Sequence, residues 1–504
     1  MKLTILGGGI AGLSAAYYAT QHLSDAEITL LEADSRWGGK IATERIPCTG
    51  DSCGRPQNDT AGIGASPIPT SGQFIIEGGP DTFLASKPWG VALCGELGLG
   101  ERLHGTNPKN KNTYVLNQNR LLPLPDGLAM MIPSDIPSIL RSRLISWGGK
   151  IRMGLDFLQP AKSVSGDESL GAFVSRRLGR EAYENLIEPL MSGIYAGDGD
   201  QLSLASTFPY LRDLEIKYGS LARGAMEMRK KMPAAPGSRS AFLTPTTGLA
   251  EIVEALVAYL QSRHVDMRLN ARVTKITSHQ SPITNYQIEL DSASLETDSL
   301  ILATPAPVSG RLLESLDPQL ASVLTGIPYA STATVSLAYR QSDIPRPLDG
   351  YGYVIPRRAG RKALACTWTS TKFPHRAPAG YALIRVFVGR AGQELALSES
   401  ELLQLAKEEL KLTLGISAAP VVSRVFVWQA AMPQYNLGHP EKLAQIDSAL
   451  EKYPTLALAG NGYRGIGIPD CIHSAQEAVK RVAQVSDLRG QIADLPHTTK
   501  QETP

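Results

Sequence analysis

The feature that most constrains this chain is Gly7-x-Gly9-x-x-Gly12, set between the apolar run 3–6 (LTIL) and SAAYYAT, which opens a helical pattern. Glycine at the first position permits a tight turn from strand to helix. The second lets a ligand come close to the backbone, and the third lets helix and strand pack closely. The free N–H groups of the helix N-terminus then suit an anion. A second apolar run, 28–31 (ITLL), ends in Glu32, twenty residues after Gly12, where a carboxylate accepts hydrogen bonds from a ribose diol. Together these parts read as a βαβ unit that binds a dinucleotide. The glycine spacing alone is a weak signal; the flanking strands and the acid make it specific.

With 504 residues the chain has room for about two to four domains. Lys plus Arg is 50 and Asp plus Glu is 48, a formal balance of +2. That balance removes the electrostatic case for a nucleic-acid partner. The five cysteines (Cys48, Cys53, Cys94, Cys366 and Cys471) are widely spaced with no CxxC pair, and the histidines are dispersed. A reduced chain with no disulfide and no metal site is expected. The opening MKLTILGGG lacks a signal-peptide pattern, and no apolar run reaches the ~18 residues of a spanning helix. A cytoplasmic protein with at most peripheral membrane contact is expected. Residues 127–158 carry Met130, Met131, Ile132, Leu140, Leu144, Trp147, Met153 and Leu155 beside Arg141, Arg143, Lys150 and Arg152. Such a segment suits a membrane surface, but an ordinary core-facing helix pair is the favoured expectation.

Along the rest of the chain, 47–72 is polar and rich in Gly, Pro, Ser and Thr, and reads as a flexible insertion in a hairpin. FIIEGGPDTF (74–83) reads as a strand entering a glycine turn, and 88–230 as mostly helical. A helix is expected at 248–262, strands near Val273, at 285–290 and at 299–303, and several strands within 331–390. Helix 399–413, strand 421–428, strand 456–460 and helix 469–484 follow. A second literal GxGxxG, Gly460-x-Gly462-x-x-Gly465, has no second strand or acid after it, so it is a βα turn and not a second nucleotide site. That excludes an NAD(P)H-dependent reductase built on two such units.

After Glu32 the chain continues as EADSRWGGKI, an E-A-x-x-R-x-G-G-K extension that resembles flavoproteins of the amine oxidase and phytoene desaturase superfamily. The likeness becomes specific in FIIEGGPDTFLASK, ENLIEPLMSGIYAGDGDQLSLASTFP, ACTWTSTKFPHRAP, MPQYNLGH and GYRGIGIPDCI. Across residues 3 to about 485 the chain resembles the oxygen-dependent porphyrinogen oxidases, particularly the bacterial branch that oxidises coproporphyrinogen III. The resemblance implies an α/β fold with a discontinuous Rossmann-like FAD-binding domain, an inserted mixed-sheet substrate domain and an inserted mainly helical domain. The expected boundaries are 1–87, 221–305 and 425–485 for FAD binding, 88–220 for the helical domain, 306–424 for the substrate domain and 486–504 for a polar tail.

It also implies one noncovalent FAD per chain. Gly7, Gly8, Gly9, Ile10, Ala11, Gly12, Glu32, Ala33 and Lys40 would bind its AMP and pyrophosphate, with Arg36, Gly38 and Gly39 in the extension. Gly79, Pro80, Asp81 and Thr82 would pass near the isoalloxazine, Val273 would meet the adenine, and Trp428, Ile466, Gly467 and Ile468 would close the flavin site. Lys87 would pair with a substrate propionate, or else is a solvated surface lysine. Val354, Thr367 and Phe387 would line the substrate pocket, although Thr367 is polar where some relatives are apolar.

No catalytic side chain is implied, since the chemistry belongs to the cofactor. The implied reaction removes six hydrogens from a tetrapyrrole in three two-electron steps, turning three O2 into three H2O2 in haem biosynthesis. A ferrochelatase is a plausible partner for a photoreactive product. Protoporphyrinogen IX is the alternative substrate. A carotenoid desaturase, an amine oxidase, or a flavin-binding sensor without turnover are the remaining readings.

Overall fold

The structure, a computed structural model, describes residues 1–493 apart from 24, 49–71, 127, 130–131, 163–165, 232–239 and 279–284. The insertion expected at 47–72 therefore lies almost wholly outside the described residues, as do Met130, Met131 and the end of the 486–504 tail. The chain divides into two compact units. The first comprises Met1–Gly39, Ile252–Gly326 and Lys442–Pro504, and the second Lys40–Glu251 and Ile327–Glu441.

In the first unit Lys2–Leu6 is central in a parallel sheet. It is flanked by Glu27–Leu31 and Asp266–Arg268 on one side and by Ser299–Leu302 and Leu456–Leu458 on the other. Leu3, Ile5, Leu30, Leu300, Ile301 and Leu302 are fully buried, as expected of strands covered on both faces. The helix Ile10–His22 is rich in alanine, so it packs against the sheet with little side-chain entropy cost. A separate antiparallel sheet joins Val273–Thr277, Tyr286–Leu290 and Ser294–Thr297. The last helix runs Ile468–Ala493, longer than the expected 469–484.

The second unit is built on a seven-stranded mixed sheet. Its order is Val422–Pro433, Tyr329–Arg340, Tyr381–Val388, Ala363–Thr367, Gly350–Val354, Asn112–Asn117 and Arg120–Pro123. Its core holds Val335, Leu337, Tyr353, Trp368, Ile384 and Val386, covered by the helix Glu399–Leu414. Ser398 and Glu401 form a capping box at that helix's start.

Three expectations are adjusted. Residues 88–230 are mostly helical, as expected, but strands also occupy 103–105, 112–117 and 120–123. Gln118 and Asn119 both take positive φ (47° and 61°), the two-residue turn that matches strand twist. The apolar run Tyr114–Leu116 is only three residues long, too short to betray the strand. Cys48 is disulfide-bonded, against the expectation of a reduced chain, while Cys94, Cys366 and Cys471 are buried and outside any disulfide. Finally, 127–158 is not simply a core-facing pair. Leu144 and Met153 are buried, but Leu140, Trp147, Ile151, Leu155 and Leu158 lie exposed.

Candidate functional site

In the first unit, the glycine turn is held by contacts that leave no room for a side chain at Gly7, Gly8 or Gly12. A Cβ on Gly12 would lie 1.7 Å from the Gly7 carbonyl oxygen, and Gly7 itself takes φ +107°. Gly9 is different: a Cβ there would meet only the Gly39 Cα, at 3.9 Å, so its face is open. Gly9 precedes the helix with no side-chain cap, and the first turn of the helix contains no acid. An open glycine before uncapped amides fits a pyrophosphate.

Glu32 braces the turn. Its Oε2 accepts from Gly8 N at 2.5 Å and its Oε1 from Asp34 N at 2.8 Å. Gly38 N donates to Gly8 O at 2.8 Å, which draws the Arg36–Gly39 extension onto the glycine loop, and Arg36 donates to the carbonyls of Trp37 and Gly39. Ala271 N donates to Glu32 O at 2.8 Å, so the chain enters Val273–Thr277 from beside the end of Glu27–Leu31. A Cβ on Gly460 would stand 3.8 Å from Ala11, so the second glycine turn adjoins the first helix. Gly467 N donates to Asp470 Oδ2 at 3.1 Å. The start of helix Ile468–Ala493 therefore carries its own acid, Asp470, in its first turn.

In the second unit, strand Gln73–Glu77 leads into Gly78-Gly79-Pro80-Asp81. A Cβ on Gly79 would lie 1.8 Å from the Lys40 carbonyl oxygen, and one on Gly78 would enter the Phe426 ring. The Gly78 carbonyl accepts from Thr334 Oγ1 (2.8 Å), Trp428 Nε1 (2.9 Å) and Arg385 Nη2 (3.2 Å). Arg385 donates to the Gly79 carbonyl as well. Lys372 Nζ lies 3.1 Å from Asp81 Oδ2, and Thr82 Oγ1 donates to Asp81 Oδ1. Burial works to raise the Asp81 carboxyl, but Lys372, Arg385 and Arg376 outweigh it and hold it down at about 2. The turn thus carries a fixed negative charge at neutral pH. Lys40 is engaged nearby, donating to the Ala431 carbonyl, with its ammonium 5.9 Å from the Tyr329 ring.

The strand register then brings scattered positions together. Val354 pairs with Ala365, Ala365 with Phe387, Phe387 with Thr334, and Thr334 with Phe426, a single row across five strands. Thr367 and Arg385 are paired one step along, and the Arg385 guanidinium lies over the Phe387 ring at 4.6 Å. The expected pocket residues Val354, Thr367 and Phe387 are therefore neighbours on one sheet. Val354 and Phe387 pack against Ala196, Leu364 and Ala365. Lys87 is half-buried and immediately precedes the helix Pro88–Glu96.

Arg385, Lys372, Arg376 and Thr334 were absent from the sequence reading. An arginine inside the apolar run ALIRVFVG was the available signal, because a buried cation needs a dedicated partner.

A buried histidine sits beside this cluster. Burial pushes the His375 imidazole down to about 3, with Arg376 and His104 adding to the effect. Because the folded value lies below the usual 6.5, the unfolded chain binds a proton that the folded chain refuses. Stability should therefore fall as pH drops below 6.5 toward 3. Between pH 7 and 5 this one group should cost about 2 kcal/mol. Urea unfolding at the two pH values checks this, and His375→Asn should remove that part of the loss.

Residues 10–483 match the profile of the family described as flavin containing amine oxidoreductase. The chain belongs to that family. It is an oxidoreductase, and the family carries a flavin. The coproporphyrinogen III oxidase of Bacillus subtilis (strain 168) is 36% identical over 490 residues, covering 95% of this chain and 97% of that one. The chloroplastic protoporphyrinogen oxidase of Oryza sativa subsp. japonica is 30% identical, covering 95% and 87%. A crystal structure from Exiguobacterium sp. 255-15, provisionally assigned as a protoporphyrinogen oxidase, superposes with a TM-score of 0.80 at 32% identity. It covers 96% of this chain and 99% of that one. No described helix of this flavin oxidoreductase is long and apolar enough to cross a membrane.

Proposed function

We propose that this chain is a haem-biosynthetic oxidase that converts coproporphyrinogen III and three O2 into coproporphyrin III and three H2O2. The similarity to coproporphyrinogen III oxidases over nearly the whole of both chains carries this reading. One noncovalent FAD supplies the two-electron acceptor for each step. Gly7–Gly12, Glu32, Ala33, Arg36, Gly38, Gly39 and Lys40 are assigned to its AMP and pyrophosphate, and Val273 to its adenine. Gly79–Thr82, Trp428 and Ile466–Ile468 are assigned to the ring. The domain boundaries expected from the sequence stand as part of the same proposal.

The row Val354–Ala365–Phe387–Thr334–Phe426 supports binding of a flat apolar ring, since four of its five side chains are carbon surface and the Thr334 hydroxyl is already bonded to the Gly78 carbonyl. Lys87 is assigned to a propionate. No side chain is asked to act as a strong base; the protein's work is to orient the macrocycle and neutralise its carboxylates.

The test is aerobic incubation of the purified, flavin-loaded protein with coproporphyrinogen III and with protoporphyrinogen IX, followed by porphyrin fluorescence. Coproporphyrinogen should react faster; no fluorescence above autoxidation from either substrate overturns the reading. The rice relative keeps protoporphyrinogen IX as the second candidate, and the ratio of rates decides between them. Lys87→Ala should raise KM roughly fivefold, about 1 kcal/mol, with kcat nearly unchanged. Unchanged KM removes Lys87 from the anchor.

For location we propose a cytoplasmic protein in peripheral contact with an anionic membrane. Trp147 and Ile151 are each 69% exposed on the helix Trp147–Gly154, and Lys150 lies 4.5 Å from the Trp147 ring. Apolar residues beside cations suit a lipid interface. Vesicles containing anionic lipid should co-sediment the protein but not the Trp147→Glu variant. A ferrochelatase, as the enzyme class that consumes the product, is the proposed protein partner.

A further inference from the structure

We propose that Glu188 is a positioning residue that acts through Arg390 and Arg357 to hold the ends of the strands carrying Val354, Thr367 and Phe387. What this face binds rests on the porphyrinogen reading above; the tie itself rests on the contacts around Glu188.

Glu188 opens the helix Glu188–Tyr195, directly after a π-helical turn at Tyr183–Ile187. Such turns re-aim the residues that follow them and recur at functional sites. Glu188 is 4% exposed, and its Oε2 accepts from Arg357 N at 3.0 Å. Arg357 lies three residues beyond the end of Gly350–Val354. The Glu188 Oε1 stands 3.8 Å from Arg390 Nη1. Arg390 is 1% exposed and lies two residues beyond the end of Tyr381–Val388. Arg390 Nη2 donates at 3.0 Å to the carbonyl of Ala363, which begins Ala363–Thr367. One carboxylate therefore meets the chain just past the ends of two of the strands that carry the row and, through Arg390, the start of a third.

The far end of the same helix is tied to the same place. Arg357 Nη2 donates to Gly197 O (3.2 Å) and Ala391 O (3.0 Å), and Ala391 N donates to Ala196 O (2.7 Å). Ala196 takes a left-handed conformation, φ 48° and ψ 30°, which a residue with a Cβ adopts only when its surroundings hold it there. It packs with Leu364 and Ala365, and Val354 and Phe387 lie against that cluster. Helix and strand ends thus form one clamp, and Ala196 is where it touches the row.

The clamp needs a charge, not just a hydrogen bond. A buried guanidinium left without its counter-ion is strongly destabilised, so loss of the Glu188 charge should release Arg390 from the strand ends. Burial pushes the Glu188 carboxyl up from its ordinary value, and the Arg357 amide and the Arg390 and Arg357 charges oppose that rise.

The test uses the full-length, flavin-loaded protein with Glu188→Gln, Arg390→Met, Arg390→Lys and the Glu188→Gln/Arg390→Met double variant. Amide exchange of segments 355–364 and 389–392 is compared with that of the first unit. In Glu188→Gln those segments should exchange about tenfold faster, while the first unit is unchanged. KM for the porphyrinogen should rise about fivefold with kcat within about twofold, and flavin content should be retained. The double variant should be no worse than the worse single one, because the two groups act as a pair. Arg390→Lys should recover part of the protection and also serves if Glu188→Gln does not fold. Unchanged exchange at the strand ends in a folded variant overturns the proposal, as does faster exchange with an unchanged KM. If the unmodified protein oxidises neither porphyrinogen, the substrate reading falls, and the exchange measurement still decides whether the clamp exists.

Discussion

Gly9→Ala is expected to yield a protein that folds normally but purifies without flavin, whereas Gly12→Ala should lose both flavin and stability. The two glycines stand three residues apart in one turn, yet they face different neighbours. At Gly12 a methyl would lie 1.7 Å from the Gly7 carbonyl oxygen and 3.4 Å from Ala303 Cβ. The obstacle is backbone, which cannot rotate away, so strand and helix must separate. Overpacking of this kind costs about 1–3 kcal/mol or more. At Gly9 the nearest atom to a methyl is Gly39 Cα at 3.9 Å, an ordinary contact, so the fold has no reason to object. The methyl instead takes up the space through which a pyrophosphate would approach the amides of Ile10 and Ala11. A loss on the order of 100-fold in FAD affinity, about 2.8 kcal/mol, is expected. Calorimetric titration of flavin-free protein with FAD, beside thermal unfolding of the same samples, separates the two effects. Unchanged FAD affinity in Gly9→Ala would show that the pyrophosphate lies elsewhere.

The second large effect is expected at the ion pair beneath the Gly78–Gly79 turn. Arg376 Nη1 meets Glu77 Oε1 at 2.7 Å, with side chains only 1% and 2% exposed. Glu77 Oε1 also accepts from Leu249 N at 2.8 Å, and Oε2 accepts from Thr43 Oγ1. Arg376 donates to Thr244 Oγ1 as well. Arg376→Met would fill much the same volume but leave the Glu77 carboxylate buried with no cation directly against it. Removing one member of such a pair costs about 3–5 kcal/mol. The glycine turn begins at the next residue, so the variant should also lose flavin. Urea denaturation of flavin-free protein isolates the stability term. A loss below about 1 kcal/mol would mean that Glu77 finds another partner or a proton. A companion Glu77→Gln substitution should cost less, because an amide retains most of the hydrogen bonds and leaves Arg376 near Asp81.

Both predictions concern glycine turns whose positions were visible in the sequence, and that visibility has a physical basis. Gly7, Gly9, Gly12 and Glu32 belong to one short stretch, in which spacing fixes geometry because the helix starts directly after the turn. The length of the apolar runs likewise marked Tyr329–Arg340, Tyr381–Val388 and Ala363–Thr367, which lie at the centre of a sheet. Asn112–Asn117 escaped because its apolar run, Tyr114–Leu116, is only three residues long, too short to stand out as a strand.

The partners of Asp81 were beyond reach for a different reason. Lys372, Arg376 and Arg385 lie roughly three hundred residues away along the chain, and nothing local to GGPDTF requires them. The same holds for Glu188 with Arg357 and Arg390. The sequence by itself determined that a βαβ unit with a glycine turn stands at the N-terminus, because a turn of this kind is written within a few residues. Only the tertiary structure decided that Val354, Phe387 and Phe426 share one row, and which charge answers which. Strand register and the pairing of buried ions depend on contacts between distant segments, and those are set by packing rather than by local spacing.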